Sequence, residues 1–316
     1  MNKPYILLLD PWDYVEDDDS GWGNRIQCWE ALSIIIKSAG TNHIIKVLPK
    51  HFPELNQVHF PNTEYIELSD VDGVPITNKD ILKWDNINKI HLDNNLNYIT
   101  KYDFNYATIV NQNFFSASED QIKEIKLSNS ELNKALDELT ANVIGIHIRR
   151  GNGVHVDQED LNSIPEQYRK FYRLCIECNE AYDFYRDIEY FNFIDDKIKQ
   201  NKDIKFYIGI DVEEEAIEYY KKKYPNRILT CNDVIIKLKS IIDKLKFLEP
   251  RLQLKTMGYI LIDFFTLAKC KEVILSPFSS WSYMGCRITG KHGTEINNLD
   301  NIFEKSSKYP IKRRMI

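Results

Sequence analysis

The sequence has no long apolar run and no leader-like amino terminus. No window of its 316 residues approaches the roughly 20 apolar residues that are needed to cross a bilayer. The first apolar run, around 5–9, is short and leads into the acidic Asp10, whereas a secretory signal needs a longer apolar stretch and a cleavage site. We therefore expect a cytoplasmic protein without a membrane span, or a domain cut from a longer membrane-anchored parent.

Positive charge is also in short supply. Lysine and arginine number 41 against 47 aspartate and glutamate residues, for a formal net charge of −6. General nucleic-acid or membrane-surface binders carry a basic excess, so we expect neither kind of partner. Any anion that this protein binds must be met by a local concentration of positive charge.

Paired cysteines are scarce. Of six cysteines, only Cys175 and Cys178 have C-x-x-C spacing, and no second pair stands at zinc-finger distance. They fall in a Tyr- and Glu-rich pattern typical of a helix, with no strand beside them. We expect reduced, partly buried thiols and no metal ion, although a metal or redox role stays open at this stage.

A chain of 316 residues is long enough for one large or two moderate domains. The spacing of its apolar residues is typical of an α/β protein. Strands are predicted at 5–10, 44–48, 143–148, 205–210, 227–230 and 272–275. Helices are predicted at 26–38, 119–139 (with a restart at Ser130), 165–199, 213–223, 233–248 and 254–269, and after Pro277. Strands that alternate with helices of this length indicate a parallel, doubly wound sheet. We place a domain boundary just before the strand at 143, which divides the chain into 1–140 and 141–316.

The sharpest motif is the end of the predicted strand 143–148. His147 and Ile148 are followed by Arg149 and Arg150, and then by Gly151-Asn152-Gly153. In open α/β sheets ligands bind beyond the carboxyl ends of strands. A guanidinium fork matches phosphate oxygens, and glycine lets the backbone approach closely. The motif fits an anion site, but it also fits a strand end whose arginines make surface ion pairs.

Two further segments have the form of an anion cradle. Gly21-Trp22-Gly23-Asn24-Arg25 follows the first strand and opens a helix, whose amino end favours negative charge. It lacks the spacing of the dinucleotide and Walker fingerprints, and Asn24 is equally a plain N-cap. The second cradle, Ser276-Pro277-Phe278-Ser279-Ser280-Trp281-Ser282, follows the strand 272–275, and Ser276 and Ser279 also suit simple caps.

An acidic loop follows the arginines, with Asp157, Glu159 and Asp160 close together. Such a run is usually a solvated loop, but a carboxylate beside an anion site can act as a general base. A serine nucleophile is not expected, because the chain has no G-x-S-x-G elbow.

The order of these blocks resembles the GDP-fucose-dependent fucosyltransferase superfamily, most of all its α1,6 and nodulation branch. The resemblance is carried by His147-Ile148-Arg149-Arg150, by the strand 206–210 ending at Asp211 with Tyr224-Pro225 after the next helix, and by Asp263 to Cys270 followed by Phe278-Ser279-Ser280. It covers 143–287, with a shorter match at 21–25.

The resemblance implies a GT-B fold: two Rossmann-like α/β domains that face each other across a cleft, with the acceptor on the side of 1–140 and the GDP-sugar on 141–316. It also implies an inverting, metal-independent glycosyltransferase with no cofactor, which moves fucose from GDP-fucose to an oligosaccharide or glycan acceptor. Alternatives left open are a transferase for another GDP-sugar and a catalytically silent nucleotide-sugar-binding protein.

Roles for individual residues also follow from the resemblance. Arg149 would be the principal diphosphate contact, with Arg150 in support, and Asp157, ten residues past His147, would be the general base. Asp211 would line the nucleoside pocket, and Ser279 and Ser280 would bind phosphate. The residues implied in substrate binding are Gly23, Asn24, Arg25, His147, Arg150, Gly151, Asn152, Asp211, Asp263, Phe278, Ser279 and Ser280.

The sequence departs from the family pattern in the loop after the arginines. Asn152 stands where many members have Asp, and Gly153 aligns with a lysine of the core fucosyltransferases. The long coiled coil and the SH3-like region of the animal core enzymes have no counterpart in these 316 residues. The resemblance therefore implies the catalytic core and leaves the acceptor and the linkage unassigned.

Overall fold

The structure is a computed structural model, and it describes part of the chain. Between β1 and β2 only Ile26, Trp29, Glu30, Ser33, Ile36, Lys37, Gly40 and Asn42 are described. The other described residues are 5–9, 44–48, 57–65, 98–100, 119–148, 185–210, 214–245, 257–276 and 280–296.

Four parallel strands form the N-terminal sheet. They are β1 (Tyr5–Leu9), β2 (Ile44–Leu48), β4 (Thr63–Tyr65) and β5 (Tyr98–Thr100), in the order β4-β2-β1-β5. Tyr5 lies opposite Ile44, and Ile6 lies opposite Tyr98. The first strand in the chain is therefore central, with partners on both sides. Both strands that the sequence predicts here, at 5–10 and 44–48, are confirmed.

A helical face lies between β1 and β2 in the chain, and we call it the 26–37 helical face. Its described members Ile26, Trp29, Glu30, Ser33 and Ile36 are all buried. Their spacing of three and four positions is that of one buried side of a helix, as expected for the crossover between parallel strands. Gly40 has a φ of +64°, a left-handed conformation that suits glycine at the end of a helix.

A second, five-stranded parallel sheet forms the C-terminal sheet, in the order β11-β10-β7-β8-β9. Its strands are β7 (Val143–Ile148), β8 (Lys205–Ile210), β9 (Ile228–Leu229), β10 (Glu272–Leu275) and β11 (Thr294–Glu295). The helices around it are α2 (Ser130–Thr140), α3 (Tyr185–Gln200), α4 (Glu214–Lys223), α5 (Cys231–Lys237), α6 (Lys239–Ile242), α7 (Met257–Lys269) and α8 (Ser280–Thr289). Its strand order is that of a Rossmann fold, with the first strand at the centre.

Apolar residues cover both faces of the C-terminal sheet. On one face Ile144, Ile146 and Ile148 of β7 belong to a cluster with Tyr190 of α3 and Tyr220 of α4. The opposite face, with Val143 and Tyr207, packs in a larger cluster that includes α2, α5, α7 and α8. The sheet is thus doubly wound, as the sequence predicts.

The structure differs from the sequence-based prediction where a long helix was expected over 119–139. There α1 (Glu119–Ile122) ends early, and a short strand, β6 (Lys126–Leu127), pairs antiparallel with β3 (Val58–His59). The predicted restart at Ser130 is confirmed, because Asn129 caps α2 by accepting a hydrogen bond from the amide of Leu132 at 2.8 Å. The helix is interrupted because β6 pairs with β3, which lies some 70 residues earlier in the chain. No local pattern in the sequence predicts a pairing of this kind.

The predicted strands at 143–148, 205–210 and 272–275 agree with the structure residue for residue. The helix predicted over 233–248 is broken at Leu238 into α5 and α6. Of the helix predicted over 165–199, the described part is α3, and Cys175 and Cys178 lie outside the described residues. Cys231, Cys270 and Cys286 are free thiols, as expected.

Candidate functional site

The carboxyl ends of β7 and β10 define the switch point of the C-terminal sheet. From β7 the chain builds outward through β8 to β9, and it then returns to the other side of β7 to form β10 and β11. Ile146 pairs with Ile274, so β7 and β10 run side by side toward their carboxyl ends. Ligands of doubly wound sheets bind in the crevice where the strand order reverses in this way.

His147 lies at this edge, one residue before the end of β7, and its side chain is buried. Tyr190 of α3 donates a hydrogen bond to its backbone carbonyl at 3.3 Å. The imidazole lies over the indole of Trp281, with ring centroids 6.5 Å apart and an interplanar angle of 27°. The predicted substrate residue His147 is therefore at the switch point, held against the first turn of α8.

Trp281 lies in the candidate site beside His147, and the sequence-based prediction assigned it no role. Its ring packs edge-on against Phe264 of α7, with centroids 5.3 Å apart. Its indole Nε1 is buried and has no hydrogen-bond partner within the part of the chain that the structure describes. The signal available in the sequence was its position directly after Ser280, inside a segment already singled out as an anion cradle.

Two buried serines lie directly after β10 and in the first turn of α8. Ser276 and Ser282 are both buried, and the amide of Ser276 donates a hydrogen bond to the hydroxyl of Ser282 at 3.3 Å. The amino end of α8, a ten-residue helix, begins at Ser280 beside the carboxyl end of β10. Helix amino ends present free amide groups and partial positive charge, so this turn suits a negatively charged ligand.

Asp263 lies one strand further along, against the carboxyl half of β8. Its carboxylate accepts a hydrogen bond from the hydroxyl of the fully buried Tyr207. The carboxylate lies close to the backbone of β8, since a Cβ at Gly209 would be in ordinary van der Waals contact with its Oδ1 at 3.5 Å. Burial and the negative charge of Asp263 raise the pKa of Tyr207, which keeps the phenol protonated as a donor. Tyr207 was not predicted as a site residue.

The other predicted site residues lie outside what the structure describes. These are Gly23, Asn24, Arg25, Arg149, Arg150, Gly151, Asn152, Asp157, Asp211, Phe278 and Ser279, and of Ser280 only the backbone is described. Their roles stay predictions. The structure does place the strand ends that immediately precede Arg149 and Asp211 next to each other, since Ile148 pairs with Ile210.

Within the described ranges, no group of three or more His, Cys, Asp or Glu side chains is arranged to hold a metal ion. None of the helices in those ranges combines the length and the apolar character that a membrane crossing requires.

Comparison with known proteins finds similar chains among the solved structures. No protein-family profile matches the sequence, and neither does any curated protein. Among solved structures, the fucosyltransferase NodZ from Bradyrhizobium is similar at 13% identity, covering 90% of this chain and 93% of that one, with a TM-score of 0.41. POFUT1 in complex with GDP-fucose is similar at 11% identity, covering 92% and 95%, with a TM-score of 0.45.

A variant of FUT1 from Arabidopsis thaliana in complex with GDP is similar at 9% identity, covering 92% of this chain and 70% of that one, with a TM-score of 0.46. The structural neighbours are therefore fucosyltransferases, the same family that the sequence blocks resemble. At these identities and TM-scores the likeness carries no argument, and the case for function rests on the residues of this chain.

Proposed function

We propose that this chain is an inverting, metal-independent glycosyltransferase that moves fucose from GDP-fucose to a hydroxyl of a glycan acceptor. One observation carries the proposal: Arg149 and Arg150 follow directly on β7, the central strand whose carboxyl end forms the switch point. A pair of guanidinium groups at that point suits a diphosphate, which a protein of net charge −6 must meet with local positive charge.

The described residues support a nucleotide site at the same edge. The buried imidazole of His147 and the partly buried indole of Trp281 lie together at this edge, and the amino end of α8 adds partial positive charge. The carboxylate of Asp263 lies against β8, where an acceptor of hydrogen bonds can face a nucleobase. In the proposed GT-B arrangement the N-terminal sheet carries the acceptor side, and two separate parallel sheets with central first strands are in keeping with it.

The proposed reaction is a direct displacement at the anomeric carbon. A carboxylate, assigned to Asp157, takes the proton of the acceptor hydroxyl, and the oxygen forms a bond to the anomeric carbon from the side opposite the diphosphate. The bond between that carbon and the diphosphate oxygen breaks, and GDP leaves with the electron pair. Arg149 and helix amino ends stabilise the charge that grows on the leaving group, a task that a metal ion performs in other transferases.

Transfer itself is tested by incubating the protein with GDP-fucose and a glycan array and scoring fucose on the array. A thermal-shift panel of GDP-fucose, GDP-mannose and UDP-glucose identifies the donor, and we expect the largest stabilisation with GDP-fucose. A larger shift with GDP-mannose would assign another GDP-sugar. GDP binding without transfer or donor hydrolysis would instead indicate a silent binding protein.

Arg149→Ala tests the mechanism directly. A charge-assisted hydrogen bond is worth about 1.5–3 kcal/mol, so we expect turnover to fall by about 10- to 150-fold with little change in melting temperature. Arg149→Lys is the matched control, since it keeps the positive charge without the planar guanidinium fork. We expect its turnover to lie between that of the parent protein and that of Arg149→Ala. Full activity in Arg149→Ala would rule this mechanism out.

A further inference from the structure

A buried ion pair joins the 26–37 helical face to α8. The guanidinium Nη1 of Arg287 lies 2.7 Å from Oε1 of Glu30, and the side chains are 12% and 0% exposed. Charges withdrawn from water to this degree cost free energy unless their partner is held in good geometry. A buried pair of this kind is therefore weak as a source of stability, and in some proteins such groups instead select one arrangement of the elements that they join.

The residue beside Glu30 is fixed to the N-terminal sheet. The indole Nε1 of Trp29 donates a hydrogen bond of 2.7 Å to the hydroxyl of Thr63, at the start of β4. The ring of Trp29 also packs on Phe60, with centroids 5.3 Å apart. Adjacent residues of a helix point about 100° apart. Trp29 can therefore bind to the N-terminal sheet while Glu30 pairs with Arg287 of α8.

The other partner of the ion pair, Arg287, belongs to α8, the helix that begins at the candidate site. Arg287 lies in the last turn of α8, six residues after Trp281 and about 9 Å further along the helix axis. Among the described residues, Ile26, Met284 and Ile288 also belong to one apolar cluster. Apolar burial has no preferred direction. A charge-assisted hydrogen bond between a guanidinium group and a carboxylate does have a preferred geometry.

We propose that Glu30 and Arg287 are a positioning pair that fixes the orientation of the N-terminal sheet relative to α8 and the switch point of the C-terminal sheet. The catalytic consequence rests on the proposed function: in a transferase whose acceptor and donor lie on different sheets, this orientation aligns the attacking hydroxyl with the anomeric carbon. A misalignment of about 1 Å is enough to lower turnover by about 100-fold.

The test replaces both charges together with apolar side chains, Glu30→Met with Arg287→Leu. Because the two charges are removed together, we expect the melting temperature to stay within about 3 °C of the parent value. Single Glu30→Gln removes only the carboxylate of the pair and should lower the melting temperature by roughly 5–15 °C. The double variant thus separates orientation from stability.

Orientation is measured as an interspin distance by pulsed electron spin resonance. Spin labels are attached at the exposed Glu64 of β4 and the exposed Asn232 of α5 through a genetically encoded keto amino acid, which leaves the native cysteines unlabelled. We expect one narrow distance population in the parent protein and a broader or split population in the double variant. A distribution in the double variant that superimposes on the parent would overturn the proposal.

The matched control is the ion pair of Lys197 and Glu272, whose Nζ and Oε2 lie 2.7 Å apart within the C-terminal sheet layer. Lys197→Met with Glu272→Leu should leave the distance distribution unchanged. Turnover of GDP-fucose on the glycan array is measured in parallel, and we expect at least a tenfold loss in the Glu30 and Arg287 double variant only. If the parent protein neither binds GDP nor transfers fucose but the distribution still broadens, the proposed function fails and the positioning pair stands.

Discussion

Single buried residues set how the stability of this protein depends on pH. Cys270 and Cys286 are buried free thiols, and burial raises the pKa of Cys286 to about 11 and that of Cys270 further. Lys291 stands near both, with its pKa lowered by burial, and its ammonium group donates a hydrogen bond of 3.0 Å to the carbonyl of Ala268 near the end of α7. The thiols therefore stay protonated in the folded chain where exposed thiols ionise.

We predict that the free energy of unfolding falls as pH rises from about 8.5 toward 11. An unfolded thiol ionises with a pKa of about 8.5, so above that pH the unfolded state binds fewer protons than the folded one, and stability declines. Cys286→Ala and Cys270→Ala should each reduce the slope by up to about 1.4 kcal/mol per pH unit. Urea unfolding of each variant at pH 7.5 and pH 10 measures this, and identical slopes in parent and variants would contradict it.

The residues of the candidate site were only partly accessible to prediction. His147 was singled out because it precedes two arginines at a strand end, and that pattern is local. Trp281 and Tyr207 were not singled out, because their places beside His147 and Asp263 depend on partners that are remote in sequence. Tyr207 and Asp263, for example, are 56 positions apart.

At the scale of elements, β7 and α7 are packed closely together at Gly145. A Cβ placed on Gly145 would lie 2.9 Å from Cδ1 of Leu267 and 3.1 Å from the Cβ of Cys270. Both neighbours are buried, so neither moves without disturbing the core. Glycine at this position lets the helix approach the central strand of the sheet.

We therefore predict that Gly145→Ala lowers the free energy of unfolding by about 1–3 kcal/mol, the usual cost of overpacking a core. Gly285→Ala in α8 is the matched control. Its added methyl would lie 3.4 Å from Ala268, close to an ordinary contact, and a helix interior gains up to about 1 kcal/mol from the change. Urea unfolding of both variants measures the difference, and an equal stability of the two would contradict the packing argument.

Predicted elements agree best where the pattern is long and regular. The strands β7, β8 and β10 match because buried parallel strands are nearly continuous apolar runs, which are bounded clearly by polar turns. The prediction misses β6, a two-residue strand that exists only because β3 lies alongside it. Short elements of this kind are decided by pairing and not by propensity.

At the scale of the whole molecule, one buried cluster extends across elements of both sheets. It includes Ile26, Ile45 and Val58 from the N-terminal part of the chain together with Leu136, Phe264 and Met284 from the C-terminal part. The pairing of β3 with β6 adds backbone hydrogen bonds between 58–59 and 126–127. The two sheets are thus not independent in their packing.

We predict that the protein unfolds in a single thermal transition in which the calorimetric and van't Hoff enthalpies agree. Loss of the N-terminal sheet would expose the apolar side chains of the shared cluster, so neither sheet keeps its stability alone. Differential scanning calorimetry measures this. Two resolved transitions, with only the second lowered by Gly145→Ala, would show instead that the sheets unfold separately.

The sequence by itself determined the α/β class, most of the long strands and helices, and the position of two arginines directly after the strand 143–148. Each of these depends on residues that are close together in the chain. The tertiary structure alone decided the strand order that makes the end of this strand a switch point. It also decided the contacts of His147 with Trp281 and of Glu30 with Arg287. Such contacts depend on how elements pack in space, and no local period or spacing in the chain encodes which distant residues meet.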